Sequence, residues 1–215
     1  MNAWATVSNV AWLAASLPEW YRFKAATQSV EATQLRRLRE ILSNYSDSAL
    51  ANAWKLDGVS GWEEFTRKVP VTSYDDYVPW IDRIRHGESD VLTQGVVQCL
   101  EPTSGSGGPK KLVPYHRALR SEFRRAVAAW IVPLFKDRPD LVNGRSYWSI
   151  TPQFPDTQEA ESSVPVGFAA DTDYLGGVIS LLAGRVMAVQ PEVAEIKDMP
   201  TFWHATLLSL LKCAD

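Results

Sequence analysis

Cysteine is scarce, with only Cys99 and Cys213 in 215 residues. Two thiols cannot build a disulfide framework, and one in an extended segment and one in a terminal helix read as buried free thiols. His86, His116 and His204 are scattered without the spacing of metal ligands, so no protein-bound transition metal is expected. Basic residues show no excess: 22 Lys and Arg face 25 Asp and Glu, a net charge of −3, which argues against a nucleic-acid surface. No apolar run approaches the roughly 18 residues needed to span a bilayer. The stretch 11–17 could be taken for a signal-peptide core, but residues 1–19 contain no Lys or Arg to precede it.

What is present fits a packed, cytoplasmic chain. Hydrophobic residues make up 46% and charged residues 22%, near the average for globular domains. The length suits one large domain or two small ones, burying about 70% of the unfolded chain's surface. Nine tryptophans are expected to lie mostly in the core, with Trp4, Trp12, Trp20 and Tyr21 covering a hydrophobic surface of the body. An interface role for that aromatic set is the alternative.

The first third reads as helical. Val30, Leu35, Leu38, Ile41, Leu42 and Tyr45 recur at helical spacing, which predicts an amphipathic helix packed on a core with its arginines in solvent. A short helix follows over 46–55, ended by Gly58 and Gly61. Ser73 then caps a helix to about residue 85, with Asp76 completing a capping box. Later, residues 117–135 form a long helix whose apolar side is expected to hold Leu119, Phe123, Val127, Trp130, Ile131 and Leu134. Turns are expected at 137–140 and 143–144, a buried strand at 146–151, a mobile loop at 152–165, a helix at 173–183, a strand at 185–189 and a closing helix at 198–212. Strands alternating with helices predict an α/β fold.

The most informative stretch is Thr103-Ser104-Gly105-Ser106-Gly107-Gly108-Pro109-Lys110-Lys111. Glycines let the backbone approach a ligand closely, successive N–H groups can converge on an anion, and hydroxyls and ammonium groups add donors. The same composition also suits a solvent-exposed turn. Its flanks decide the type of loop. Pro114 holds Val113 extended and cannot lie inside a helix, while 96–100 is β-branched and apolar. The order is therefore strand, loop, strand. A Walker A loop and a Rossmann turn are both excluded, because each feeds a helix directly.

A Thr-Ser-Gly-Ser run, a following Gly and a Lys between two strands resemble the phosphate loop of the adenylate-forming superfamily of acyl-CoA synthetases and luciferase. Within it the chain resembles the acyl-acid amido synthetases of the auxin-responsive-promoter family, in a bacterial-type version. Phe65, Val69-Pro70-Val71-Thr72-Ser73-Tyr74-Asp75-Asp76-Tyr77, Pro79, Ile81, Arg83, Gly87-Glu88 and Leu92-Thr93 carry that likeness upstream, and Lys111 to Tyr115 carry it downstream. Two departures stand out: His116 occupies the place of a small hydroxyl residue, and Gly107 the place of a common hydroxyl.

The resemblance implies the N-terminal portion of an adenylate-forming fold, an incomplete adenylation domain with a helical part over 1–90 and a phosphate-loop α/β part over 91–215. Such enzymes run to roughly three or four times the usual 100–150-residue domain, so a fragment or shortened relative is expected. It implies ATP with substrate-bound Mg²⁺, a small carboxylic acid, and an amino acid whose amine takes the acyl group. A thiol acceptor such as CoA and a non-catalytic nucleotide-binding remnant are the alternatives. Thr103, Ser104, Gly105, Ser106, Gly107, Gly108 and Lys111 would bind the nucleotide, with Lys111 and Ser106 acting in catalysis and Lys110 facing solvent. His116 is a candidate base, with a packing or capping role favoured over it. Oligomeric state is left open.

Overall fold

The computed structural model describes residues 3–103, 111–148, 162–167 and 185–213. The expected helix at 173–183, the end of the expected strand at 149–151 and the expected loop over 152–161 lie outside them. The chain divides into two compact units: residues 1–24, 118–154 and 168–215 form the first, and residues 25–117 and 155–167 the second.

In the first unit, helix α1 (Ala3–Ala26) buries Ala5, Ser8, Asn9, Trp12 and Ser16. Those positions share one face at helical spacing, yet only Trp12 is a large apolar residue. The Asn9 amide explains the polar content: its Nδ2 donates to the carbonyls of Val142 and Gly144 at 2.9 and 3.0 Å. It thereby ties the helix to the 3₁₀ turn Pro139–Asn143, where turns are expected from Arg138-Pro139-Asp140 and Asn143-Gly144. Trp4 and Tyr21 are exposed, at 75% and 61%, so they do not cover the body as expected. Helix α6 (Arg117–Asp137, numbered after the elements of the second unit) contributes Ala128, Ile131, Val132 and Phe135, an i, i+3, i+4, i+7 stripe. Trp12, Ile131, Val132, Phe135 and Met187 make the core of this unit, with Phe123, Val127, Leu134 and Trp148 packed on it.

Trp130 departs from expectation. It is 55% exposed, because the buried stripe passes through Val132 and Phe135 instead. Trp62 and Trp203 are exposed as well, and among the described tryptophans only Trp12 is buried. The strand expected at 146–151 appears, within its described part, as a single bridge from Ser146 to Met187, and Tyr147 is exposed. The expected strand at 185–189 is likewise reduced to that bridge, although Val186 to Val189 are all buried. Helix α7 (Met199–Leu211) closes the unit. The Asp198 carboxylate caps it by accepting from the Thr201 N–H at 2.9 Å. Cys213, just beyond, is only partly buried.

The second unit begins with α2 (Val30–Tyr45), found where the periodicity places it. Its packing differs from expectation: no residue of α2 is buried, and Val30 and Ile41 are exposed. Helix α3 (Ala49–Ala53) starts at Ser48, whose buried hydroxyl accepts from the Ala51 N–H at 3.1 Å. Gly58, at φ +71°, makes the left-handed bend that separates it from α4 (Trp62–Lys68). The Ser73–Asp76 capping box is present, and it opens a 3₁₀ turn (Tyr74–Tyr77) that runs into α5 (Val78–Arg85).

Strands β1 (Cys99–Pro102) and β2 (Leu112–Tyr115) pair antiparallel, with Leu100 opposite Pro114 and Pro102 opposite Leu112. Both prolines sit where their missing N–H costs no ladder bond. At these positions the partner's polar groups are satisfied elsewhere: the Leu100 N–H donates to Pro165 O, and its C=O accepts from Gly167, both at 2.8 Å. The end of the segment expected to be a mobile loop thus lies along β1. Ile81, Ile84, Val91, Val97, Leu100 and Val164 form the core beneath, with Tyr74, Leu112 and Val166 packed against it.

Two measurements test these packings. Replacing Ile84, 1% exposed, by Ala is expected to cost about 2–5 kcal/mol, read as a lower urea midpoint at unchanged m-value. Asp76 is held below its ordinary pKa of 3.8 by the Ser73 N–H and then by the Ser73 hydroxyl. Its contribution is therefore complete above the unfolded pKa and vanishes as pH falls through the lowered folded value. Asp76→Asn should be least stable relative to the parent near neutral pH and converge with it in acid; a constant gap across the titration would contradict that origin.

Candidate active site

The stretch singled out in the sequence joins β1 to β2. Of its residues, Ser104, Gly105, Ser106, Gly107, Gly108, Pro109 and Lys110 lie outside the described residues. Thr103 and Lys111, which bound them, are placed side by side. The Thr103 N–H donates to Lys111 O at 2.8 Å, and the Lys111 N–H donates to Thr103 Oγ1 at 3.2 Å. The flanks are extended on both sides, as the sequence predicts, and neither leads the connection directly into a helix. The Thr103 hydroxyl spends a lone pair on Lys111, which leaves its proton to donate to an incoming oxygen.

Behind this mouth stands Tyr74. Its hydroxyl accepts from the Leu112 N–H at 2.8 Å and donates to Leu112 O at 3.3 Å. Leu112 pairs with Pro102 at a position of the ladder where the backbone groups point away from the partner strand, so the phenol takes up groups that an additional strand would otherwise satisfy. The Lys111 ammonium lies 5.4 Å from the centre of the same ring. Sequence reasoning quoted Tyr74 only as part of a family-like stretch. Its 38-residue separation from Leu112 leaves no local signal of the contact.

In the same unit, charged side chains on α5 and at its exit are paired with one another. Arg83 forms a fork with Glu88, and Arg85 pairs with Asp82 at 3.1 Å. The hydrogen bonds from Arg83 hold the Glu88 carboxyl below its usual range. Asp90 is lowered by the Gly95 N–H and by the Ser89 hydroxyl. Glu88 and Asp90 are therefore structural acceptors that stay ionised near neutrality, not proton donors.

His116 is not at the mouth. It follows the far end of β2, five residues beyond Lys111, or about 16 Å of extended chain. There it is buried with its ring edge-on to Tyr45 at 6.2 Å. Its placement is that of a packed side chain and not of a base beside the loop. Among the described residues no group of three or more His, Cys, Asp or Glu could hold a metal ion, and no helix is long and apolar enough to cross a membrane.

A separate cleft of about 950 Å³ lies between α2 and the start of α4, lined in part by Leu35, Leu38, Arg39, Trp62 and Arg67. It shares no residue with the hairpin mouth. Its walls mix Glu31, Glu63 and Glu64 with the two arginines, so it offers no concentrated positive charge to a polyphosphate.

Comparison with known proteins places this arrangement. A model of the GH3 family N-terminal domain matches residues 20–215. Indole-3-acetic acid-amido synthetase GH3.8 of Oryza sativa subsp. indica is 40% identical over 90 residues, which are 41% of this chain and 15% of that protein. 4-substituted benzoates-glutamate ligase GH3.12 of Arabidopsis thaliana is 31% identical over 97 residues, 44% of this chain and 17% of that one. Among solved structures, GH3.15 acyl acid amido synthetase superposes with a TM-score of 0.69 at 22% identity, over 89% of this chain and 33% of its own. That likeness shows the fold, the α/β arrangement expected from the sequence. The chain thus spans about a sixth of the curated relatives in its alignments and a third of the solved one. A phosphate-loop-like stretch between paired strands, the Ser73–Asp76 box before it and a family match over nearly the whole length together establish that this chain belongs to the GH3 family and carries its N-terminal domain.

Proposed function

We infer that the complete protein activates a small carboxylic acid with ATP and conjugates it to an amino acid, and that this chain supplies the polyphosphate-binding part of the adenylation domain. The observation that carries the reading is the closed mouth of the β1–β2 hairpin, where Thr103 and Lys111 are locked to one another at the base of a Gly- and Ser-rich connection. Relatives in the family are named as amido synthetases acting on indole-3-acetic acid and as a benzoates-glutamate ligase. The acid used by this protein is assigned here only as a class.

In the reaction the acid's carboxylate oxygen attacks the α-phosphorus of ATP and expels pyrophosphate. The amine of the amino acid then attacks the acyl carbonyl, loses a proton and displaces AMP. Both steps form without a covalent intermediate on the protein, so the chain's task is to position the nucleotide and stabilise charge. In this reading the backbone N–H groups of Ser104, Gly105, Gly107 and Gly108 cradle the β- and γ-phosphates. Thr103 and Ser106 donate through their hydroxyls, and Lys111 brings a full positive charge to the leaving pyrophosphate. Mg²⁺ would arrive with the nucleotide, held by phosphate oxygens and water. The donor set suits this division of labour, because Thr103 and Lys111 present cations and protons rather than carboxylates. We place the reaction in the cytoplasm, where free thiols such as Cys99 persist.

The test has two parts. MgATP at 100-fold over its Kd should raise this chain's stability by about 2.7 kcal/mol, and Lys111→Ala should weaken MgATP binding about tenfold while Lys110→Ala changes it little. In a protein of full family length, pyrophosphate exchange into ATP should require a carboxylic acid, and an amino acid should then yield an amide. Product only with CoA would assign a thiol acceptor. Nucleotide binding without exchange would assign a non-catalytic relative, and equal effects at the two lysines would remove Lys111 from the site.

A further inference from the structure

We propose that Tyr74 is the positioning residue for Lys111: it fixes both the backbone and the ammonium of that lysine at the hairpin mouth without neutralising its charge. The proposal rests on the reading of this mouth as a polyphosphate site and assigns a residue that reading does not use. The Tyr74 hydroxyl holds the N–H and the C=O of Leu112, the residue next to Lys111 in β2. On the other side Lys111 is locked to Thr103 through its own N–H and C=O. The backbone of Lys111 is therefore pinned from both directions.

The side chain is held differently from several other cations of this unit. Arg83 pairs with Glu88 while also lying over the Trp80 ring, Arg85 pairs with Asp82, Lys68 with Glu64 and Arg37 with Glu40. Lys111 has no ion pair among the described residues and instead lies over the face of Tyr74. A ring quadrupole attracts an ammonium but carries no net charge, so it orders the lysine while leaving its whole positive charge for an anion. A carboxylate in the same place would compete with the phosphates. A lysine left free in solvent would have to lose its rotamer freedom on binding.

Tyr74 can serve as an anchor because it is itself anchored. Its turn is opened by the Ser73–Asp76 box, where the Ser73 N–H and hydroxyl both donate to Asp76 Oδ2, at 2.7 and 3.0 Å. Its ring packs against the core that contains Ile81, Ile84 and Leu100. The Val69–Tyr77 stretch, 26 or more residues before the glycine-rich connection, thus acts on the nucleotide through one side chain.

The experiment is a double-mutant cycle on this chain, with MgATP and inorganic tripolyphosphate as probes. Lys111→Met should weaken binding about tenfold in the parent but less than about twofold in a Tyr74→Leu background, because the lysine there is no longer held in place. Tyr74→Phe keeps the ring and the core packing. It should leave the Lys111→Met effect near its parental size while amide exchange at Leu112 accelerates at least about tenfold without any ligand. Equal fold-losses for Lys111→Met in the parent and in Tyr74→Leu would overturn the proposal. So would a lowered melting temperature in Tyr74→Leu with unchanged affinity, or an unaltered Leu112 exchange rate in Tyr74→Phe. Failure of the parent to bind either probe would instead remove the polyphosphate reading, and this proposal with it.

Discussion

A hairpin that carries a long connection has to satisfy the backbone groups pointing away from its own ladder, and in this chain that requirement organises the second unit. Leu100 sends its outward N–H and C=O to residues 165–167, and Leu112 sends its own to the hydroxyl of Tyr74. Two strands alone are marginal in water, so these lateral contacts turn a pair of four-residue strands into a platform. The prolines at 102 and 114 face Leu112 and Leu100 at positions whose backbone groups point out of the ladder, so neither removes a bond between the two strands. With both edges engaged and the core of Ile81, Ile84 and Val91 beneath, the ends of the connection are held in place. The glycine-rich stretch between the strands thus starts and ends on that platform.

That arrangement separates rigidity from reactivity. The residues expected to meet the nucleotide are mostly glycine and serine, and fixing a backbone around a ligand carries an entropic cost. The mouth lowers the cost at its two ends, where Thr103 and Lys111 already bind one another. Arg83 and Arg85 of the same unit are paired with Glu88 and Asp82, whereas the Lys111 ammonium lies over the Tyr74 ring.

Much of this was legible in the sequence wherever a local rule applied. Pro114 excluded a helix after the connection, and β2 lies there; Ser73 and Asp76 announced a capping box, and it is formed; the 3.6-residue period placed α2 and α6. The failures share one cause, which is that exposure depends on what packs alongside. Periodicity located α2 but could not show that no residue of it is buried, and it put Trp130 on the covered side of α6 when Val132 and Phe135 hold that place. In α1 the buried face is built from Ala, Ser and Asn around Trp12, a composition that a hydrophobicity pattern reads as the solvent side. Asn9 is buried because two distant carbonyls need its amide. Tyr74 belongs to the same class: nothing adjacent to it distinguishes a phenol that packs from one that pins a strand 38 residues away.

The central claim is that the mouth between Thr103 and Lys111, and not the cleft beside α2 and α4, receives the polyphosphate. Amide chemical-shift mapping of a MgATP titration compares the two sites in one experiment. The account predicts saturable shifts centred on Thr103, Lys111 and Leu112, reproduced by inorganic tripolyphosphate and absent with adenosine. Shifts confined to Leu35, Leu38, Arg39 and Trp62, or none at the hairpin at saturating nucleotide, would contradict it.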